Sequence, residues 1–316
     1  MAKYILKRIG YMLITLWVII TATFFLMNSI PGDPVMVKAQ KLPPEMQQLM
    51  RQQYGLDKPL TTRYVIYLKN LTKGQLGDSF ITPGYNVQQI ISEKFPNSAR
   101  LGVQAVFIGL VIGVTLGIIA SFRRNSNVDF LVIFLAIMGV SIPSFVLAAL
   151  LQKGLGGAGS LPIAGWYNPG DGIDGFKFTV LPTIALCFGS LATYARYMRT
   201  SVLDVIGKDY IITAKAKGLS QGAIAWKHII RNAILPIITI LGPQLAAIIT
   251  GSIVIERIFA IPGIGNSMID AILTNDYNII MGLTIFYSAL YIVSLLIVDI
   301  MYSVVDPRIR LTGEKR

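Results

Sequence analysis

Charge, histidine and cysteine are all scarce in this sequence, and each shortage removes a class of function. Only 14% of the 316 residues are Asp, Glu, Lys or Arg, against about 25% in a soluble domain. Hydrophobic residues make up 53% and fall in long runs, so the solvent of this chain is lipid. The single cysteine, Cys187, excludes an internal disulfide and reads as a small apolar residue inside a helix. The single histidine, His228, excludes a multi-histidine metal site, and no HExxH pair is present. A Ser/His/Asp triad would depend on that same residue, which sits in a basic segment. The loop G-x-x-x-x-G-K-[ST], which cradles ATP phosphates, is missing: Gly207-Lys208 is followed by Asp209 and lacks the preceding glycine. The chain reads as a non-enzyme that binds no cofactor.

What is present is apolar length. A helix needs ~20 apolar residues to cross the hydrocarbon core. Five stretches meet that test: 9–30, 101–122, 130–151, 234–255 and 279–304. A sixth, 179–195, is short and contains Pro182 and Gly189, so hydropathy alone leaves it marginal. Charge placement decides. With six spans and the N-terminus inside, the inner pieces 1–8, 123–129, 196–233 and 305–316 hold 16 of the 28 Lys and Arg. They net +11, and the outer pieces net +2. Removing span four would throw the basic 196–233 segment and the C-terminal tail outside, against the positive-inside rule. Six spans with both ends cytoplasmic is the expectation. The net charge of +12 then needs no nucleic-acid partner, because membrane lipid accounts for it. The first span resembles a signal peptide in its flanking Lys3, Lys7 and Arg8. Its apolar run is too long for one and ends in Asn28-Ser29-Ile30-Pro31-Gly32-Asp33-Pro34 without a small-residue cleavage pattern, so it reads as a retained helix.

Within the spans only Asp299 is charged. Ion-coupled carriers place ionisable groups at membrane depth, so secondary active transport is disfavoured. Asp299 reads as a structural carboxylate that pairs with a neighbouring helix or reaches the interface. The pathway is expected to be apolar with scattered hydroxyls and amides, and the chain has no visible energy source.

The outer segment 31–97 carries two amphipathic patterns. Pro43-Pro44-Glu45 starts a helix, Met46, Leu49, Met50 and Tyr54 share one face, and Gly55 ends it. A second helix is expected from Thr61 to about Leu71. These pieces either pack against the bundle or touch an external delivery protein. The segment 152–178 holds Gly154, Gly156, Gly157, Gly159, Gly170, Gly172 and Gly175 and reads as a flexible outer loop.

The inner segment 196–233 is the most informative. Asp209 is expected to cap a helix over Tyr210–Lys217, with Gly218 left-handed just beyond its end. Ser220 caps the next helix, which leads to Pro236 and span five. Ala214 and Ala216 keep the short helix slim, and Lys215 and Lys217 present charge to a partner protein or to lipid headgroups. Pro143, Pro236, Gly242, Pro243 and Gly251 interrupt helix hydrogen bonding and mark either flex points or close helix packing.

The run DYIITAKAKGLS followed by HIIRNAILP resembles the EAA loop of binding-protein-dependent ABC importer permeases, in its peptide-subgroup form. Ile212 and Thr213 stand where the general pattern has Glu and Ala, while Ala214 and Gly218 remain. The interval from Gly218 to Leu235-Pro236 is longer than in sugar permeases. Further matches run along the chain: Pro31-Gly32-Asp33-Pro34, Tyr54-Gly55-Leu56-Asp57-Lys58-Pro59, Gly77-Asp78-Ser79-Phe80, Phe95-Pro96-Asn97-Ser98, Ser141-Ile142-Pro143-Ser144-Phe145, Gly251-Ser252, Glu256, Phe259, Pro262-Gly263-Ile264-Gly265 and Asp306-Pro307-Arg308-Ile309-Arg310.

The resemblance implies an all-α membrane protein with six transmembrane helices of the type I ABC importer permease fold, an outer amphipathic cap and a cytoplasmic coupling helix. It divides the chain into the first helix (1–30), an outer loop (31–97), a transmembrane domain (98–305, with span four at 179–198 and a coupling loop at 199–233) and a tail (306–316). It implies a B-type permease subunit of an oligopeptide or dipeptide importer. Asp209, Tyr210, Thr213, Ala214, Lys215, Ala216, Lys217 and Gly218 would couple to ATPases. The implied partners are a second homologous permease, two cytoplasmic ABC ATPases that carry ATP and Mg, and an extracytoplasmic peptide-binding protein. Nickel or glutathione import remains a rival within the class. An autonomous channel, or a receptor for signalling peptides, is a rival outside it.

Overall fold

The computed structural model describes residues 2–30, 43–82, 84–157, 161–167 and 174–305. The motifs at 31–34 and 306–310 and the tail lie outside the described residues. In chain order the helices are α1 (Ala2–Ser29), α2 (Pro44–Gln53), α3 (Leu60–Thr72), α4 (Val87–Phe122), α5 (Asn127–Ser141), α6 (Ser144–Leu155) and α7 (Asp174–Ile206). Then come α8 (Asp209–Ala216), α9 (Gln221–Ala233), α10 (Leu235–Gly251), α11 (Ile253–Ile258), α12 (Ile264–Leu273) and α13 (Tyr277–Val305). Among the described residues the sole β feature is an isolated antiparallel bridge between Asp78 and Asn86.

Four helical stretches are long and apolar enough to cross a membrane: Leu6–Ser29, Val87–Phe122, Gly175–Ile206 and Tyr277–Met301. Two bent helix pairs raise the number to six if each pair is one span. The span that hydropathy made marginal, 179–195, is the middle of the 33-residue α7. It is also the most buried of the four, which explains its weak signal. A helix enclosed by its own chain can bury hydroxyls such as Thr179, Thr183 and Ser190.

Span three is corrected instead. The run 130–151 is not one straight helix, because α5 and α6 meet at 104°. Pro143 lacks an N–H and forces Ile142 out of the helical region, to φ −88° and ψ 117°. A hydropathy window registers apolar residues and is blind to this break. The glycine-rich outer loop is corrected over its described part. Residues 161–167 are pinned: Gly165 N–H donates to the Phe259 carbonyl at 2.7 Å, and Gln152 Nε2 donates to the Ile163 and Ile258 carbonyls. Gly159, Gly170 and Gly172 lie outside the described residues.

The chain separates into two compact units, Met1–Asn97 with Gly263–Ile292 and Ser98–Pro262 with Val293–Arg316. In the first, the outer helices take the expected places, since α2 begins at Pro44 and α3 covers Leu60–Thr72. Of the two readings for these helices, α3 follows the packed one. It lies on the C-terminal end of α1 through stacked Phe24 and Tyr67, a Thr21–Tyr64 hydroxyl bond of 2.6 Å and Arg63 Nη2 donating to Asn28 Oδ1. Met46 and Leu49 of α2 stay exposed. The loop at 77–86 is tied to the α12–α13 turn by the buried Asp276, which accepts from Ser79 Oγ and from the Phe80 N–H.

In the second unit, α4 lies against α7 along Gly109, Gly113 and Gly117. A Cβ at Gly113 would stand 2.6 Å from the Leu191 carbonyl oxygen, and one at Gly117 2.6 Å from that of Ala195. Glycine every fourth residue lets two backbones meet, a recurrent device in lipid, where apolar burial gives helices no reason to associate.

Candidate coupling site and the elements that hold it

The short helix α8 begins one residue earlier than its sequence suggests. Lys208 is the extended N-cap residue and makes no side-chain cap, so the expected capping role of Asp209 is corrected. Asp209 is instead the first helical residue, where its charge complements the helix dipole. The other end matches expectation. Gly218 has φ +75°, its N–H donates to the Lys215 carbonyl at 2.9 Å, and the Leu219 N–H reaches the Ala214 carbonyl at 3.4 Å. This is the paired closure that favours glycine after a helix end. Ser220 Oγ then accepts from the Ala223 N–H and caps α9.

One face of α8 is glued to its own chain. Ile211 and Ala214 are buried with Tyr194, Met198 and Val202 of α7 and with Ile224, Ile229 and Ile230 of α9. Ala214 is therefore small to fit inward, and of the two alanines only Ala216 faces out. The outward face carries Tyr210, Ile212, Thr213, Lys215, Lys217 and Leu219. Ile212 is 63% exposed, which is costly for an aliphatic side chain at an aqueous boundary unless something covers it.

Three supports escaped the sequence reading. The first is a π-helical stretch, Ile224–Ile230, within α9. It keeps Ile224, Ile229 and Ile230 buried while leaving Trp226 exposed. Such bulges often accompany function, and this one adjoins the 47° bend into α10 at Pro236. The second is an ion pair. Asp129 is buried in the first turn of α5 and accepts from both Arg199 Nε and Arg199 Nη2, the latter at 2.8 Å. Arg199 and the Asn125 N–H hold the Asp129 carboxyl below the usual carboxylate range, against the upward push of burial. The pair fastens α5 to α7 where the coupling segment begins. Ser126-Asn127-Val128-Asp129 is a capping pattern that marks the helix start, with Ser126 the N-cap, but it does not indicate the Arg199 partner. The third is Glu256, counted as an outer charge but 1% exposed. Ser98 Oγ and Ser252 Oγ both donate to its Oε1, tying α4 to the break between α10 and α11.

The five helix-interrupting residues divide by place. Pro143 and Pro236 stand at the two sharp bends, and Gly251 closes α10 one residue before the break at Ser252. Pro243 lies inside α10. At Gly242 a Cβ would be 2.1 Å from Val298 Cγ2 and 3.1 Å from the Ser294 carbonyl, so this glycine serves close packing on α13. Among the described residues no group of three His, Cys, Asp or Glu gathers to hold a metal.

Spanning helices, sharp bends and a short surface helix define a multi-spanning permease fold. The chain belongs to the binding-protein-dependent transport system inner membrane component family, which residues 113–311 match. Residues 1–102 match the N-terminal region described for membrane components of the same systems. It is 41% identical to the dipeptide transport system permease protein of Lactococcus lactis subsp. cremoris (strain MG1363), over 98% of this chain and 100% of that one. It is 43% identical to the dipeptide transport system permease protein of Bacillus subtilis (strain 168), over 98% and 99%. With the oligopeptide transport system permease protein of Escherichia coli (strain K12) the identity is 40%, over 98% and 100%. A crystal structure of an amino acid ABC transporter with histidines shares the fold, with a TM-score of 0.51 at 18% identity over 70% of this chain and 94% of that one. As a permease, this chain is a translocation component and not an ATPase, and it carries no cofactor.

Proposed function

We propose that this chain is one permease subunit of an ATP-driven importer of short peptides. One observation carries the reading: likeness from end to end to permeases named for dipeptide and oligopeptide transport. The chain supplies half of the pathway, and a second homologous permease supplies the rest. Two cytoplasmic ATPases holding ATP and Mg drive it, and an extracytoplasmic peptide-binding protein loads it. Both termini are cytoplasmic in this reading, which the distribution of Lys and Arg supports, and the membrane is the bacterial inner one. Residues 1–30, 31–97, 98–305 and 306–316 act as entry helix, outer cap, transmembrane domain and tail.

Closure of the ATPase pair on ATP displaces α8 through Tyr210, Ile212 and Leu219. Ile211 and Ala214 pass that displacement to α7 and α9, because they are packed between them. Pro143, Pro236 and the Gly251–Ser252 break are where the helices bend between inward- and outward-open states.

The test is uptake of labelled dialanine by cells lacking this chain and by cells in which it is restored. Restoration of dialanine uptake, with nickel and glutathione uptake unchanged, is the expected result. Restoration of nickel or glutathione uptake alone would assign the chain to those substrates.

A further inference from the structure

The first unit contains a cavity of about 600 Å³ that the transport reading leaves unused. It lies within the size range of small-molecule sites, about 300–1,000 Å³. Side-chain amides recur in its lining, among them Asn28, Asn70, Gln75, Asn86, Gln88 and Asn278. An amide side chain both donates and accepts, so it complements a peptide bond whatever side chains flank that bond. The lining also carries both signs of charge, with Lys58 and Arg63 against Asp78. Lys58 and Asp78 are exposed and so sit where a ligand enters. Tyr67 lines the wall, and its hydroxyl is buried without a hydrogen-bond partner in the chain. A buried hydroxyl in that state is destabilising until something polar reaches it.

The walls are fixed in advance. Arg63 holds Asn28, and Asn278 Nδ2 donates to the Asp78 carbonyl at 2.9 Å. The Asp276 carboxylate fastens the loop that carries Asp78 and Phe80. These ties are made within the chain itself, so the walls are preorganised for a ligand.

We propose that this cavity is a holding site for a short zwitterionic peptide, which it recognises by backbone and termini rather than by side chains. Asp78 faces the ammonium terminus, Lys58 and Arg63 face the carboxylate, and Asn70 and Gln75, whose amides are not committed to other groups as those of Asn28 and Asn278 are, take the peptide bond. The proposal rests on the peptide-importer reading above. It explains how a permease without a charged pathway can retain varied peptides between their release and their passage.

The test uses the purified permease–ATPase complex in detergent, without the binding protein, titrated calorimetrically with dialanine. Leucyl-lysine should bind within a few-fold of dialanine. N-acetylation or C-amidation should each weaken binding about tenfold, the worth of one lost charge-assisted contact. Tyr67→Phe, which keeps the ring, and Asn70→Leu should each weaken it about fivefold, with basal ATPase activity unchanged. Absence of binding up to about 10 mM, weaker than any useful holding site, would overturn the proposal. Tighter binding of glycerophosphoethanolamine than of dialanine would also overturn it, by assigning the cavity to lipid headgroups. Dialanine uptake by the complete wild-type system is measured in parallel. Uptake without cavity binding sinks this proposal alone, whereas absence of uptake sinks the peptide-importer reading itself.

Discussion

Gly113→Leu removes the folded permease from the membrane. The reason is geometric. The first carbon of any side chain at Gly113 would lie 2.6 Å from the Leu191 carbonyl oxygen, 2.9 Å from Tyr194 Cβ and 3.2 Å from Leu191 Cα. Two of these atoms are backbone, and they cannot swing away as a flexible side chain would. Gly109 and Gly117 press on the same helix at Ser190, Cys187 and Ala195, so α4 cannot tilt to relieve one contact without worsening another. Gly113→Ala already overpacks this interface, at a typical cost of about 1–3 kcal/mol. For a unit of this size that lowers Tm by about 3–10 °C. Leucine must separate α4 from α7, and Tyr194 and Met198 of α7 belong to the core that seats α8. The expected result is loss of the monodisperse complex from detergent extracts. Gly10→Leu is the control, because nothing lies within 4 Å of a Cβ there. Normal yield and melting of Gly113→Leu would show that the helices do not meet in this way.

Gly218→Asp separates folding from transport. A Cβ at Gly218 meets nothing within 4 Å, so no steric clash follows. The cost is the positive φ of 75°, about 1–2 kcal/mol for an ordinary residue and less for aspartate, which tolerates this region. The complex should therefore assemble, with Tm lowered by a few degrees. Uptake should be abolished, because a carboxylate placed between Lys217 and Leu219 breaks up the exposed face of α8 and loosens the turn that aims it. Measuring assembly by co-purification, and uptake in proteoliposomes on the same preparation, checks both halves. Full uptake would mean that this turn transmits nothing.

Some of this was legible in the sequence, for physical reasons. Gly218 and Ser220 announce a helix end and the next helix start by chemistry local to a few residues, and local chemistry does not depend on the rest of the fold. Pro44 and Gly55 bracket α2 in the same way. Lysine and arginine placement upheld span four where hydropathy wavered. The misses involve partners far apart in the chain. Asp129 and Arg199 lie 70 positions apart, and Ser98 and Glu256 lie 158 apart, so neither pairing leaves a trace at either residue. Ala214 reads with Ala216 as keeping the short helix slim for a partner, because spacing on an eight-residue helix does not tell which side is inward. Pro143 was noted as a flex point, but the 104° turn there needs the helices on either side to be placed. Gly109, Gly113 and Gly117 were readable as a period of four, and their partner helix was not.

The proposed coupling drives a chain with no energy source of its own through the exposed face of α8. The most direct measurement is cross-linking from that face in the assembled, ATP-hydrolysing transporter. The natural Cys187 is buried and leaves a silent background. Ile212→Cys, at an exposed position, should cross-link to an ATPase subunit with a short maleimide–benzophenone reagent, whose photoreactive end needs no cysteine on the partner. Ala214→Cys, two residues away on the buried face, should not. An Ile212→Cys complex that transports normally but gives no ATPase cross-link would contradict the claim.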